Sequence, residues 1–115
     1  MNSSIDLVHS GGTQSEDCVA LGVRALSAQR AEELAPLFKA LGDPVRLRLL
    51  SMIAALPEVC VCEITPAFDL APATISHHLK TLREAGLVDA ERRGTFVFYR
   101  VRPATLAALS AALQS

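Results

Sequence analysis

The sequence predicts a mainly helical chain with one small β-hairpin, an α+β arrangement. Two observations predict it: apolar residues recur at helical spacing between residues 70 and 88, and two runs rich in β-formers flank Arg92-Arg93-Gly94. With 115 residues and a net charge of −1, the chain is expected to form one soluble domain. No apolar run approaches the roughly 18 residues of a membrane span, so no membrane partner is expected.

The chain is predicted to divide near residue 26. Residues 1 to about 17 are polar, contain glycine and lack an apolar period, which predicts a mobile tail. The tail is taken to extend to residue 26 and carries Cys18. The polar start has neither the basic nor the apolar region of a signal peptide, so a cytoplasmic protein is expected. Residues 27–115 then form the single folded domain.

Two helices are predicted to open this domain. Ser27 is a candidate cap for a helix from Ala28 to Leu41, in which Pro36 predicts a kink or a late start. Gly42 ends that helix, Asp43 caps the next, and a proline takes its first position. The apolar residues expected to place this second helix in the core are Leu47, Leu50, Met52, Ile53 and Leu56.

The next two helices have the order of a helix-turn-helix. The stretch 59–69, V-C-V-C-E-I-T-P-A-F-D, predicts a short third helix, and a longer amphipathic helix follows the Ala71–Pro72 turn and stops at Gly86. Its apolar face holds Ile75, Leu79 and Leu82, and its other faces hold hydroxyls, imidazoles and cations. Such a helix fits the major groove of DNA, although an ordinary amphipathic surface helix would show the same spacing.

A basic-tipped hairpin is predicted directly after this helix. Two β-prone runs, 87–91 and 95–101, flank Arg92 and Arg93, and Gly94 suits a tight turn. A recognition helix followed by such a hairpin is the order of a winged helix-turn-helix, in which the wing contacts DNA phosphates. The alternative is a hairpin that only covers the core, with both arginines in solvent.

The last helix predicts a homodimer. It begins at Pro103 and carries a stripe of Leu106, Leu109 and Leu113 backed by alanines. No other predicted element needs this stripe, so a second copy of the chain is its expected partner.

Four segments together resemble the ArsR/SmtB family of dimeric, winged-helix metal-sensing repressors. They are L-F-K-A-L-G-D-P-V-R-L-R-L-L at 37–50, V-C-V-C-E-I at 59–64, T-I-S-H-H-L-K-T-L-R-E-A-G-L-V at 74–88 and R-R-G-T-F-V-F-Y-R-V at 92–101. The C-V-C pair is similar to the arsenic-responsive branch. The resemblance implies a repressor that binds an inverted-repeat operator in double-stranded DNA and leaves it on binding the ion. It assigns DNA contact to Thr74, Ser76, His77 and Lys80, with Arg92 and Arg93 on the backbone.

The sequence departs from the family in two places. The last helix, 104–115, has no His, Asp, Glu or Cys, so the zinc site that some members hold there is absent. Some arsenic sensors carry a third cysteine near the position of Thr65. The resemblance then leaves Cys18 as the third ligand beside Cys60 and Cys62, with trivalent arsenic, or antimony, as effector and no organic cofactor.

The thiol chemistry fits this implication. Soft thiolates suit trivalent arsenic, which takes three of them in a trigonal pyramid. In a regular helix the side chains of Cys60 and Cys62 would point about 200° apart, whereas an extended or frayed segment brings both to one side. Binding of the ion is therefore expected to favour an unwound start of the third helix and to disturb the recognition helix.

Other interpretations of the cysteines remain open. Cys60 and Cys62 could be small buried hydrophobic residues, or the protein could be a soft-metal carrier. It could also be a thiol redox sensor, in which Cys18 would pair with one of the other two, because a direct Cys60–Cys62 bridge is sterically awkward. An enzyme is not expected, since no Ser/His/Asp set, carboxylate pair or phosphate loop is present.

Overall fold

The computed structural model describes residues 25–114. The predicted winged helix-turn-helix of class α+β is confirmed. Cys18 and nearly all of the predicted tail lie outside the described residues, so the boundary near residue 26 stays a prediction. The elements in order are α1 (Ala28–Ala40), α2 (Pro44–Ala54), β1 (Val59–Cys60), α3 (Val61–Ile64), a 3-10 turn (Thr65–Ala67), α4 (Pro72–Glu84), β2 (Val88–Arg93), β3 (Phe96–Val101) and α5 (Pro103–Leu113).

The first two helices begin where their caps predict. The Ser27 hydroxyl accepts a hydrogen bond from the Arg30 amide at 3.0 Å, and α1 therefore starts at Ala28, with no late start at Pro36. The Asp43 carboxylate accepts from the amides of Val45 and Arg46 at 2.9 and 3.2 Å. These bonds satisfy amides that have no partner inside the helix.

The hairpin belongs to a three-stranded antiparallel sheet of order β1-β3-β2. Gly94 joins β2 to β3 with a φ of +64°, a conformation that side chains with a Cβ rarely adopt. Cys60 in β1 lies opposite Phe98, and Val59 opposite Tyr99. The prediction that Val59 and Cys60 begin a helix is wrong, because both pair instead with the central strand.

The third helix is consequently shorter than predicted. Cys60 is extended (φ −76°, ψ 142°) and forms the cap of α3, which has only four residues. Pro66 lies in the 3-10 turn that follows, where its missing amide proton prevents a longer α-helix.

The core forms where α2 and α4 meet the sheet. The predicted apolar face of α4 is confirmed, since Ile75, Leu79 and Leu82 are fully buried, and Gly86 ends the helix with a φ of +86°. The side chains that are almost wholly removed from solvent are Leu49, Ile53, Ile64, Ile75, Leu79, Leu82, Leu87 and Val88.

The predicted core face of α2 is partly wrong. Leu50 and Ile53 are buried as expected, but Leu47 and Leu56 are 55% and 54% exposed, and Leu49 is buried instead. Residues two apart in a helix point about 200° apart, so a helix that buries Leu49 turns Leu47 to solvent.

The last helix packs against the first. Leu109 of α5 is buried, whereas Leu113 is 74% exposed. Within residues 25–114, no helix has both the length and the apolar character needed to cross a membrane.

A pair of matched substitutions in α2 tests this orientation. Leu49→Ala should lower the free energy of unfolding by about 2–5 kcal/mol, because it removes fully buried methyl groups and leaves a cavity. Leu47→Ala should cost less than about 1 kcal/mol. Urea denaturation at one fixed protein concentration measures both, and equal losses would contradict the burial of Leu49.

Candidate nucleic-acid interface and thiol site

The outer face of α4 carries the four helix residues assigned to DNA contact. Thr74, Ser76, His77 and Lys80 are all exposed, on the side of the helix opposite its buried leucines and isoleucine. Buried contacts thus fix the helix while its hydroxyls, imidazole and ammonium face solvent. This is the arrangement that a helix needs in order to reach base edges.

His78 has a different role from its neighbour. Its Nδ1 lies 3.2 Å from a guanidinium nitrogen of Arg46 in α2, and Arg46 also donates to the carbonyl of Ala40. The rings of His77 and His78 are tilted by 59° with centroids 6.0 Å apart. His78 therefore links α4 to α2, whereas His77 remains on the outer face.

A cationic cleft of about 320 Å³ separates α4 from the wing. The residues that line it are Ser76, Lys80, Arg83, Ala90, Arg92, Val97 and Tyr99. Three of these carry a positive charge and none carries a carboxylate. The Lys80 Nζ atom lies 3.9 Å from a carboxylate oxygen of Glu84. Both side chains are more than 60% exposed, so water and salt weaken this ion pair. The cleft therefore attracts polyanions.

The two tip arginines lie on opposite faces of the wing. Arg92 points toward the cleft beside α4. Arg93 donates to both carboxylate oxygens of Glu58 at 2.7 Å each and to Glu91 at 3.0 Å, and its guanidinium lies 4.5 Å from the centre of the Phe98 ring. Alternation along a strand places successive side chains on opposite faces. Arg92 is thus the tip cation available to DNA, while Arg93 is paired within the protein.

An ion-pair network connects the wing to the segment before β1. Arg100 donates to Glu91 at 2.9 Å and lies 3.5 Å from Glu58. Hydrogen bonds from Arg93 and Arg100 lower the pKa of Glu91 to about 2, and the bonds from Arg93 also lower the pKa of Glu58. The same bonds raise the pKa of Arg93. The two carboxylates are therefore ionised throughout the physiological range.

Cys60 and Cys62 meet at the junction of β1 and α3. Their Cα atoms are 5.1 Å apart, and their sulfur atoms are in direct contact. Cys60 is extended and Cys62 is helical, so both sulfurs lie on one side. This confirms that a segment other than a regular helix brings the pair together. The expectation that a direct bridge is sterically awkward stays a prediction.

The surroundings of the pair are mainly apolar. Phe96 and Phe98 of β3 line an open pocket of about 270 Å³ with Cys60, Cys62 and Glu63. Cys60 is buried, Cys62 is exposed, and Glu63 accepts a hydrogen bond from the Cys60 amide at 3.0 Å. Among residues 25–114, no group of three or more His, Cys, Asp or Glu side chains is placed to hold a metal ion.

Sequence reasoning missed three residues around the thiols. Phe96 and Phe98 fall in the second β-prone run, but the sequence did not predict that their side chains would adjoin the thiols. Glu58 precedes β1 as part of a Pro-Glu turn, and nothing local indicates its bond to Arg93, 35 residues later.

Comparison with known proteins identifies relatives that match most of the chain. The profile of a family described as "Bacterial regulatory protein, arsR family" matches residues 43–90, from the cap of α2 into β2. A helix-turn-helix transcriptional regulator of Methanocaldococcus jannaschii is 42% identical over 73 residues, which cover 64% of this chain and 82% of that protein. The arsenic resistance transcriptional regulator ArsR1 of Pseudomonas putida is 43% identical over 86 residues, 72% of this chain and 67% of that protein.

A solved structure agrees with these relatives. The crystal structure of AntR, an antimony-specific transcriptional repressor, matches with a TM-score of 0.62 and 32% identity, covering 76% of this chain and 79% of that chain. By their names, all three proteins are transcriptional regulators. This agrees with the expectation that the chain is not an enzyme and argues against a metal carrier.

Titration of the wing tests the ion-pair network. A folded pKa near 2 for Glu91, below the ordinary value of 4.5, means that its stabilising contribution is present above pH 4.5 and is lost as the pH falls toward 2. Carboxyl carbon shifts measured by NMR should give this midpoint. Arg93→Ala should return the pKa of Glu58 toward its ordinary value, whereas Arg83→Ala, on the other face, should leave both carboxyls unchanged.

Proposed function

Because the chain belongs to the ArsR family of bacterial transcriptional regulators, we propose that it is an arsenite-responsive repressor. As an apo dimer in the cytoplasm it binds an inverted-repeat operator. It dissociates when three thiolates bind trivalent arsenic or antimony. The observation that carries the proposal is the convergence of Cys60 and Cys62 at the junction of β1 and α3.

The thiol pair supports this choice of ion. In the reduced state, two thiolates on one side of the chain supply two of the three ligands that trivalent arsenic takes. Cys18 supplies the third, from the same or the partner subunit. The names of two relatives agree, since one is an arsenic resistance regulator and another an antimony-specific repressor.

The cationic cleft and the outer face of α4 form the proposed DNA surface. Ser76 and His77 near the helix start contact base edges together with Thr74, and Lys80 and Arg92 contact phosphates. Arg93 is less available than Arg92, because three of its five N–H donors are already bonded to Glu58 and Glu91. Arg83 also lines the cleft and adds a positive charge there. The sequence analysis did not assign this residue to DNA contact.

Two connections run from the thiols to this surface. Cys60 is paired with Phe98 in β3, so a displacement of β1 moves the wing. On the other side, α3 and the 3-10 turn precede α4 in the chain, and Ile64 of α3 is fully buried in the core. The ion weakens DNA binding if it binds the conformation with displaced β1 or α3 more tightly than the conformation that binds DNA. Such coupling typically weakens binding about 5- to 150-fold.

The dimer is proposed to form through α1 and α5. These helices pack together and leave Phe38 and Leu113 exposed. Apolar side chains on an outer face of paired helices suit a self-complementary contact with a second copy. A dimer matches the two halves of an inverted repeat.

The contact between the two sulfurs supports a second candidate function. An oxidant that joins Cys60 to Cys62 would give a redox-sensing repressor a pair that needs no contribution from Cys18. The oxidised pair has no thiolates for arsenic, so the two functions exclude each other at any one moment.

The arsenite test uses fluorescence anisotropy of the reduced protein on a labelled duplex from its own promoter. Arsenite should release the DNA, because it binds the thiolates, and zinc should not. Cys60→Ser/Cys62→Ser should retain DNA binding and lose the release. DNA binding that ignores arsenite but is abolished by a mild oxidant and restored by reductant would support the redox function instead.

The salt dependence of binding tests the two faces of the wing. Arg92→Gln should reduce the magnitude of the slope of log K against log salt by about 2, because the dimer loses one phosphate contact in each subunit. Arg93→Gln is the matched control and should leave the slope unchanged, since Glu58 already pairs with that arginine. The assignment of Arg92 would be wrong if the two variants gave the same slope.

A further inference from the structure

We infer that Arg46 is a positioning residue for DNA binding, because its side chain ties the recognition helix α4 to α1. The inference rests on the proposed function, since α1 is one of the two helices proposed to form the dimer. By holding α4 relative to that interface, Arg46 sets the distance between the two recognition helices of the dimer. It therefore determines which spacing of half-sites in an inverted repeat the protein accepts.

The Arg46 guanidinium meets α1 at the last residue of that helix. Its Nε atom donates to the carbonyl of Ala40 at 2.5 Å. Four residues after Ala40 the chain has Pro44, which carries no amide proton, so the helix pattern offers this carbonyl no partner. Ala40 is only 6% exposed, and a buried carbonyl without a hydrogen bond costs free energy. Arg46 therefore satisfies the end of α1.

The same guanidinium meets α4 at His78. One of its terminal nitrogens lies 3.2 Å from Nδ1 of the His78 ring. Because arginine stays protonated and offers only donors, Nδ1 is the acceptor in this contact. The backbone of Arg46 is held as well, since its amide donates to the Asp43 carboxylate at 3.2 Å. One residue of α2 thus bridges α1 and α4.

This bridge supplies a restraint that the apolar contacts of α4 do not. The buried apolar residues of α4 fix which face of the helix is inside, but apolar burial is not directional and permits small sliding between packed helices. Hydrogen bonds weaken steeply when they are misaligned, so the contact with Arg46 restrains such motion at His78. His77 is the next residue and Thr74 lies one helical turn earlier, and both are proposed to contact bases. A shift at His78 therefore moves the surface that reads DNA.

The dimer makes this restraint visible as a preference for one operator spacing. Each α4 enters its own half-site, and the two half-sites lie about one turn of DNA apart or a multiple of it. One extra base pair between them moves the second half-site by roughly 3.4 Å and turns it by roughly 35°. A helix held rigidly relative to the dimer fits one spacing. A helix that is free to shift loses entropy when both half-sites are bound, and it tolerates other spacings better.

Fluorescence anisotropy of the reduced full chain, without arsenite, tests the inference. The three duplexes are the whole operator, a single half-site, and the operator with one base pair added between its half-sites. Arg46→Met should weaken binding to the whole operator at least about 10-fold, the typical effect of losing a hydrogen bond to a charged group, and should change half-site binding by less than about 2-fold. It should also reduce the preference for the natural spacing.

Arg48→Met is the matched control. Arg48 lies on the same helix and carries the same charge, but its guanidinium lies over the ring of Phe68 at 4.5 Å. The ratio of whole-operator to half-site affinity should therefore remain at its parent value in this variant, as should the preference for the natural spacing.

Variants of His78 show whether the effect passes through this contact. His78→Leu offers no acceptor and should lower the ratio of whole-operator to half-site affinity, whereas His78→Gln retains an acceptor oxygen and should lower it less. Arg46→Met/His78→Leu should lose no more than Arg46→Met alone, since both changes remove the same bond. The His78 variants leave the bond to Ala40 in place, so they decide the question if Arg46→Met is poorly folded. Circular dichroism and sedimentation check folding and dimerisation.

The outcomes separate the inference from the proposed function. Equal weakening of the whole operator and the half-site by Arg46→Met, with a shallower salt dependence, would show that Arg46 contacts a phosphate and would overturn the inference alone. An unchanged ratio in His78→Leu would also contradict it and leave the repressor intact. A parent chain that binds the whole operator and the half-site equally would reject the proposed binding to an inverted repeat, and the inference with it. Release by arsenite is measured separately and bears only on the proposed function.

Discussion

The pairing of the two-residue strand β1 with β3 is the interaction on which the functional regions depend. It holds Cys60 opposite Phe98 and Val59 opposite Tyr99, and it fixes the cap from which α3 starts. Without this pairing, Cys60 would be free to continue the helix and its sulfur would point away from that of Cys62. The same hydrogen bonds make the wing a neighbour of the thiols, so the thiol site and the hairpin share one strand.

The charged residues of the wing lie on the two opposite faces of the sheet and form two groups. One face directs Arg92 toward α4, where Lys80 and Arg83 complete a cationic cleft. The other pairs Arg93 and Arg100 with Glu58 and Glu91. The first group attracts an external polyanion, and the second is neutral as a set. Simple counting of basic residues would therefore overestimate the charge that the wing presents to DNA.

Burial explains which predictions of helical faces succeeded. In α4 the apolar residues are few and separated by polar ones, so Ile75, Leu79 and Leu82 had only one possible common face. In α2 nearly every position is apolar, and periodicity alone did not distinguish Leu47 from Leu49. Tertiary packing decides which face of α2 is buried, because α4 and β3 pack on one side of this helix and cover Leu49.

The sequence by itself determined the order of the helices and the hairpin, the caps at Ser27 and Asp43, the buried face of α4 and the turn at Gly94. Each of these features depends on residues within a few positions of one another. Only the tertiary structure decided that Val59 and Cys60 form a strand, that Glu58 binds Arg93, and that aromatic rings adjoin the thiols. These features join residues more than 30 positions apart. Contacts between residues so far apart in the chain produce no local pattern in the sequence. The distance between such residues is set only when the chain between them has folded.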